Sequence, residues 1–203
     1  MTLAAFATVA FVHLLAAISP GPSFVLSVRT AAGEGFRPAF GLALGFGVGA
    51  AIWAAGALAG LSVLFEAAPM LFAALRIVGA LFLIWLAVAM WRHAPEPMPR
   101  PGTQAPRGFA SAARLGIVTM FANPKAAIFF SAVFLGFVPA AAGPADKAVV
   151  VLNVLWVEAA WYVLVARAFS LPRPRAAYAR WKTVLDRVLG VALGALGLRI
   201  ALP

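Results

Sequence analysis

The chain has 203 residues, of which 64% are hydrophobic and only 11% charged, with a mean hydropathy of +0.99. A soluble domain is roughly 45–50% apolar and about 25% charged, so this composition excludes one and indicates an all-α integral membrane protein. There is no cysteine, which excludes disulfides and thiolate metal sites; the net charge of +10 lies mostly in connecting loops, where it is a topology signal rather than a nucleic-acid footprint.

The first apolar run covers residues 2–28 and contains Pro20-Gly21-Pro22. No Lys or Arg precedes it, and it exceeds the about 7–15 residues of a cleavable signal core, so it is expected to be a first span. The second run, 38–65, carries Gly41, Gly45 and Gly49 at four-residue spacing, a stripe that lets another helix backbone approach, within one bundle or in a homodimer. The third, 69–91, holds Arg76, about 10 Å from its outer end and within snorkelling reach of the interface. A proline-rich loop at 92–107 follows. The fourth run, 114–139, is interrupted by Asn123-Pro124-Lys125. The fifth, 147–166, contains Asn153, expected as interhelical glue, and Glu158. A basic loop at 167–182 leads to the sixth, 184–202, with Gly190 and Gly194.

Each run approaches or exceeds the ~20 residues of a spanning helix, which predicts six transmembrane helices in one membrane domain, 1–203. The first, third and fifth loops carry eleven Lys and Arg, against Lys147 and Arg199 on the other side. Basic loops stay in the cytoplasm, so both termini are expected outside. Three spans (about 2–91), a cytoplasmic loop and three more spans (about 108–203) suggest two inverted repeats, each with a broken leading helix.

Those breaks carry the functional expectation. Proline removes a backbone donor and clashes with the preceding turn, and in a bilayer such a break is tolerated only where it lines a protected cavity. Half-helix N-termini at Pro22 and Pro124 would present bare N–H groups and about half a positive charge each, which suits a carboxylate, with Ser23 and Asn123 adding polar contacts. Lys125 lies eleven residues after Arg114, and Glu158 eleven after Lys147 from the opposite side, so both sit roughly 16 Å deep, near the midplane. A charge there must face the interior, so the two either pair or act separately around a wet cavity. His13, deep in the first span, is read as a neutral histidine bonded to a neighbouring helix, or as a proton relay. The six tryptophans are read as belt or core aromatics.

Ser19-Pro20-Gly21-Pro22, the glycine-striped second span, Arg76-x-x-Gly79-Ala80 and Asn123-Pro124-Lys125-Ala126 together resemble the lysine exporter (LysE/RhtB) superfamily, over essentially the whole chain. That resemblance implies export of amino acids or their derivatives across the bacterial inner membrane, coupled to the proton gradient. It implies Pro20, Gly21, Pro22, Asn123, Pro124 and Lys125 as functional residues; no cofactor is expected, and Glu158 is assigned to proton coupling or to the substrate ammonium. The chain departs from many members at Leu81-Phe82 and at Leu135-Gly136-Phe137, which bears on substrate identity. Two other classes fit the sequence less well. A metal or other cation exporter would have few ligands, with two histidines, no cysteine and Glu158 the only acid near the midplane. An intramembrane enzyme would have to pair His13 with Ser23, ten residues away along one broken helix.

Overall fold

The structure, a computed structural model, describes residues 1–19, 21–67, 69–96, 106–130, 134–139 and 141–201. The side chains of 61–69, Arg76 and Pro124, among others, are outside that description, as are Pro20 and most of the proline-rich loop. Eight α-helices account for nearly all described residues, and no strand occurs among them. They are α1 (Leu3–Ile18), α2 (Pro22–Gly33), α3 (Phe36–Ala67), α4 (Pro69–His93), α5 (Phe109–Ala122), α6 (Pro124–Ile128), α7 (Pro144–Phe169) and α8 (Pro172–Ala201).

The first break follows from local chemistry. A residue before proline is pushed out of the α region, and Ser19 sits at φ −57°, ψ 124°. Gly21 is extended, and Pro22 opens α2 at the position where a missing N–H costs nothing. The axes of α1 and α2 meet at 65°. Between α2 and α3 the chain turns through Gly35 at φ 92°, a left-handed conformation that favours glycine.

Two expected boundaries are corrected. The run 114–139 is not one helix broken once: α6 ends at Ile128, Phe129 and Phe130 continue in a wider turn, and Phe134–Phe137 form a tighter 3-10 turn. Apolarity marked that run, and apolarity does not distinguish an α-helix from its tighter and wider relatives. The basic stretch 167–182 is largely helical, because Pro172 is pre-set for a first turn and the Ala, Arg and Lys residues after it are strong helix formers.

Packing centres on α3, which lies between α5 and α7. A Cβ on Gly41 would lie 2.6 Å from the Phe109 carbonyl oxygen, and Gly45 and Gly116 approach the carbonyls of Ala113 and Leu42 more closely still. Gly47, roughly 200° around the helix from Gly45, meets the other neighbour: a Cβ there would lie 2.8 Å from the Leu155 carbonyl oxygen. On α8, Gly190 and Gly197 likewise face the backbone of α4, at Ala87 and Ala80. Both glycine stripes therefore pack against other helices of the same chain, the first of the two arrangements their spacing allows.

The three cation-rich loops share one end of the bundle. Arg107 pairs with Glu34, Arg167 lies over the Phe36 ring, and Lys182 donates to the carbonyls of His93 and Ala94 and to Asp186. At the other end the Met1 ammonium pairs with Asp146 at 2.8 Å. Within the described residues, α7 and residues 36–60 of α3 are each long and apolar enough to cross a membrane; α1 and α2 add a third span if the bent pair is counted as one, and α5 is a shorter apolar helix.

Candidate functional site

The two proline breaks lie against each other. Asn123 Nδ2 donates to Ser23 Oγ at 3.0 Å, joining the start of α2 to the start of α6, and both side chains are buried. Asn123 also caps α6: its Oδ1 accepts the Lys125 N–H at 3.0 Å, the first backbone donor available after a proline that has none.

Each break frees a backbone carbonyl, and each is met by a donor from a distant part of the chain. The Lys125 side chain reaches across to donate Nζ to the Ser19 carbonyl at 2.6 Å, which places a cation at the negative end of α1. In an unbroken helix the Met120 carbonyl would accept the N–H of residue 124, which proline lacks. Here it accepts from the Trp53 indole at 3.3 Å and from the Asn123 N–H at 3.3 Å. Trp53 is thus a specific donor to the broken ladder rather than only a belt or core aromatic.

Glu158 does not pair with Lys125. Its Oε2 lies 3.0 Å from His13 Nε2, and both side chains are buried, so carboxylate and ammonium keep separate partners across one cavity. Tyr162, one turn beyond Glu158 on the same face of α7, is buried and packed on the Phe46 ring at 4.6 Å. His13, Ser23, Asn123, Lys125, Glu158 and Tyr162 form the polar lining, and Ala16, Ala17, Met120, Phe129 and Phe130 the apolar remainder. The cavity holds about 30 Å³. That is room for water but not for a larger molecule.

Of the residues singled out in the sequence, Ser23, Asn123, Lys125 and Glu158 line this cavity; Gly21 and Pro22 form the turn beside it, and Pro124 begins α6. Pro20 lies outside the described residues. A Cβ on Gly21 would lie 3.5 Å from Lys125 Cδ, an ordinary contact, so the lysine does not require glycine there for room. The carboxylate-binding half-helix expected after Pro124 is only five residues long and adds little dipole. Asn153 is also corrected: its Oδ1 is buried with no hydrogen-bond partner among the described residues, rather than bonded across helices. Tyr162 was not singled out, although its spacing of four from Glu158 was a readable signal.

The family model described as LysE type translocator matches residues 14–203. The chain is 32% identical to a threonine efflux protein of Escherichia coli (strain K12) over 198 residues, covering 96% of each chain. It is 29% identical to an uncharacterized membrane protein of the same organism, covering 90% of this chain and 82% of the relative. A leucine efflux protein of Salmonella choleraesuis is 27% identical over 119 residues, 59% of this chain and 56% of that one. No solved structure matches the chain.

Proposed function

The chain belongs to the LysE type translocator family, and on that premise we propose that it exports amino acids or their derivatives from the cytoplasm, driven by the proton gradient. The family is one of translocators, not enzymes. The observation that carries the reading is the small cavity between the two breaks, which holds one ammonium, Lys125, and one carboxylate, Glu158, bound to different partners. A zwitterionic amino acid offers the complementary pair. Its carboxylate would replace the Ser19 carbonyl at Lys125 and take the amide of Asn123, with the Ser23 hydroxyl beside them; its ammonium would take Glu158. The prolines of the two breaks and Gly21 keep the backbone bent around it. A cavity of about 30 Å³ is too small for such a cargo, so binding requires opening to one side, as alternating access does.

The architecture in this reading is six membrane helices in two inverted repeats, α1–α4 and α5–α8, in the bacterial inner membrane with both termini outside. Two features support it. The two breaks meet each other, and the long helices pack on their counterparts, α3 on α7 and α4 on α8. The cation-rich loops also share one end, opposite Met1 and Asp146. The purified protein in liposomes loaded with labelled amino acids, under an imposed pH gradient, tests the proposal. Gradient-dependent loss of at least one amino acid is expected, and retention of the whole panel would refute it.

A further inference from the structure

We infer that His13 is a coupling residue, forming with Glu158 a single proton-carrying pair for which proton and substrate compete; this rests on the export reading above. His13 is 2% exposed, its Nε2 lies 3.0 Å from Glu158 Oε2, and its ring packs against Phe129 and Phe130 at centroid distances of 5.8 and 5.6 Å. Its Nδ1 is buried and has no hydrogen-bond partner among the described residues. When neutral imidazole donates Nε2–H to a carboxylate, Nδ1 is the bare acceptor. An unpartnered ring nitrogen on a residue lining the cavity is therefore a base ready to take a proton. A histidine with a purely structural role would gain nothing from leaving that acceptor empty, since an unsatisfied buried acceptor costs stability.

The surroundings fix the charge balance. The other charged or titratable groups lining the cavity are Lys125 on α6 and Tyr162 on α7; from α1, α2 and the α5–α6 junction come only His13 itself, Ser23 and Asn123. With Lys125 charged, Glu158 ionised and His13 neutral, the cavity carries no net charge; protonation at Nδ1 leaves it with one positive charge. An imidazolium and a substrate ammonium would then contend for the single carboxylate. Two cations on one acceptor repel strongly in a site with little water. Open to the outside, the pair takes up one proton and the substrate ammonium is displaced. Open to the cytoplasm, the proton leaves and a new ammonium takes Glu158. One proton enters for each substrate that leaves.

The chain has only two histidines, and His93 is exposed and pairs with Glu96 away from the cavity. Labelling histidine with ¹⁵N in the His93→Gln protein therefore reads His13 alone. In liposomes, and in the absence of any substrate, the spectrum should show the Nε2–H tautomer at high pH and one protonation step between pH 5 and 9. Adding Glu158→Gln should weaken that proton binding by about tenfold or more, the effect of removing a carboxylate within hydrogen-bonding distance. In transport, His13→Gln should lose gradient-driven efflux at least tenfold while retaining substrate counterflow. Failure of the parent protein to move any amino acid would sink the export reading, leaving the NMR titration to judge the pair. An Nδ1–H tautomer, no titration in that range, or His13→Gln efflux equal to the parent across pH 6 to 8 would overturn the inference.

Discussion

The hydrogen bond between the Ser23 and Asn123 side chains joins the two breaks directly, and its energy is measurable. Ser23→Ala leaves the Asn123 amide facing a methyl group in a buried site. A buried donor left unsatisfied costs about 1–3 kcal/mol. For a chain of this length each kcal/mol lowers Tm by roughly 2–4 °C, so a fall of about 2–12 °C is expected. Asn123→Ala loses the same bond and also the cap on α6, which adds about 1 kcal/mol. If the bond joins the breaks, the double substitution costs less than the two singles added together, by about 1–3 kcal/mol. Thermal unfolding of the four proteins in one detergent measures the stability cycle, and substrate counterflow shows whether the site survives. Additive losses, within about 0.5 kcal/mol, would mean that the bond forms without coupling the two halves.

Lys125→Met should abolish export while leaving folded protein in the membrane, and Lys125→Arg should not restore it, because a planar fork cannot reproduce a point donor to the Ser19 carbonyl; near-normal efflux by either would remove the lysine from substrate binding. Glu158→Gln should lose gradient-driven efflux and keep part of the counterflow, and full efflux across pH 6 to 8 would refute a coupling role. Gly45→Val should prevent α3 and α5 from closing, because its Cβ meets the Ala113 backbone, whereas Gly56→Ala, with open space around it, should fold as well as the parent; size-exclusion profiles of fluorescent fusions compare them. Reporter fusions at residues 100 and 175 should report cytoplasm and one after Pro203 the periplasm, and a cytoplasmic C-terminus would overturn the orientation.

What was legible in the sequence follows from which physical terms are local. The helices are readable because apolar length and proline position are one-dimensional quantities, and α3, α4 and α7 fall within a few residues of the expected runs. The depth of Lys125 and Glu158 is readable because rise per residue converts spacing into distance. Their partners are not. Whether the lysine meets Glu158 or the Ser19 carbonyl depends on how α1, α6 and α7 are rotated and tilted, and packing sets those angles. The stretch after Ile128 was misread for a related reason: hydropathy reports burial in lipid or protein, and Phe129, Phe130 and the 3-10 turn at Phe134–Phe137 are buried or apolar without being α-helical.

The breaks explain why polar residues near them serve the backbone and, in the proposed function, the cargo as well. A proline inside a span orphans a carbonyl that the bilayer cannot hydrate. The chain answers at Ser19 with a lysine and at Met120 with an indole. The two answers have different consequences. An indole N–H is a neutral, permanent donor, so the Met120 repair is fixed and Trp53 need not move. A lysine has three donors, and the Ser19 carbonyl is its only hydrogen-bond acceptor among the described contacts. It can hold the carbonyl while adding a substrate carboxylate, or release the carbonyl to do so. In the second case cargo binding at Lys125 loosens the junction of α1 with α2, beside which His13 and Glu158 lie. On the proposed binding mode, a break repaired by a charge is therefore a joint whose stiffness depends on occupancy, which is what a transporter needs between its closed state and its open ones.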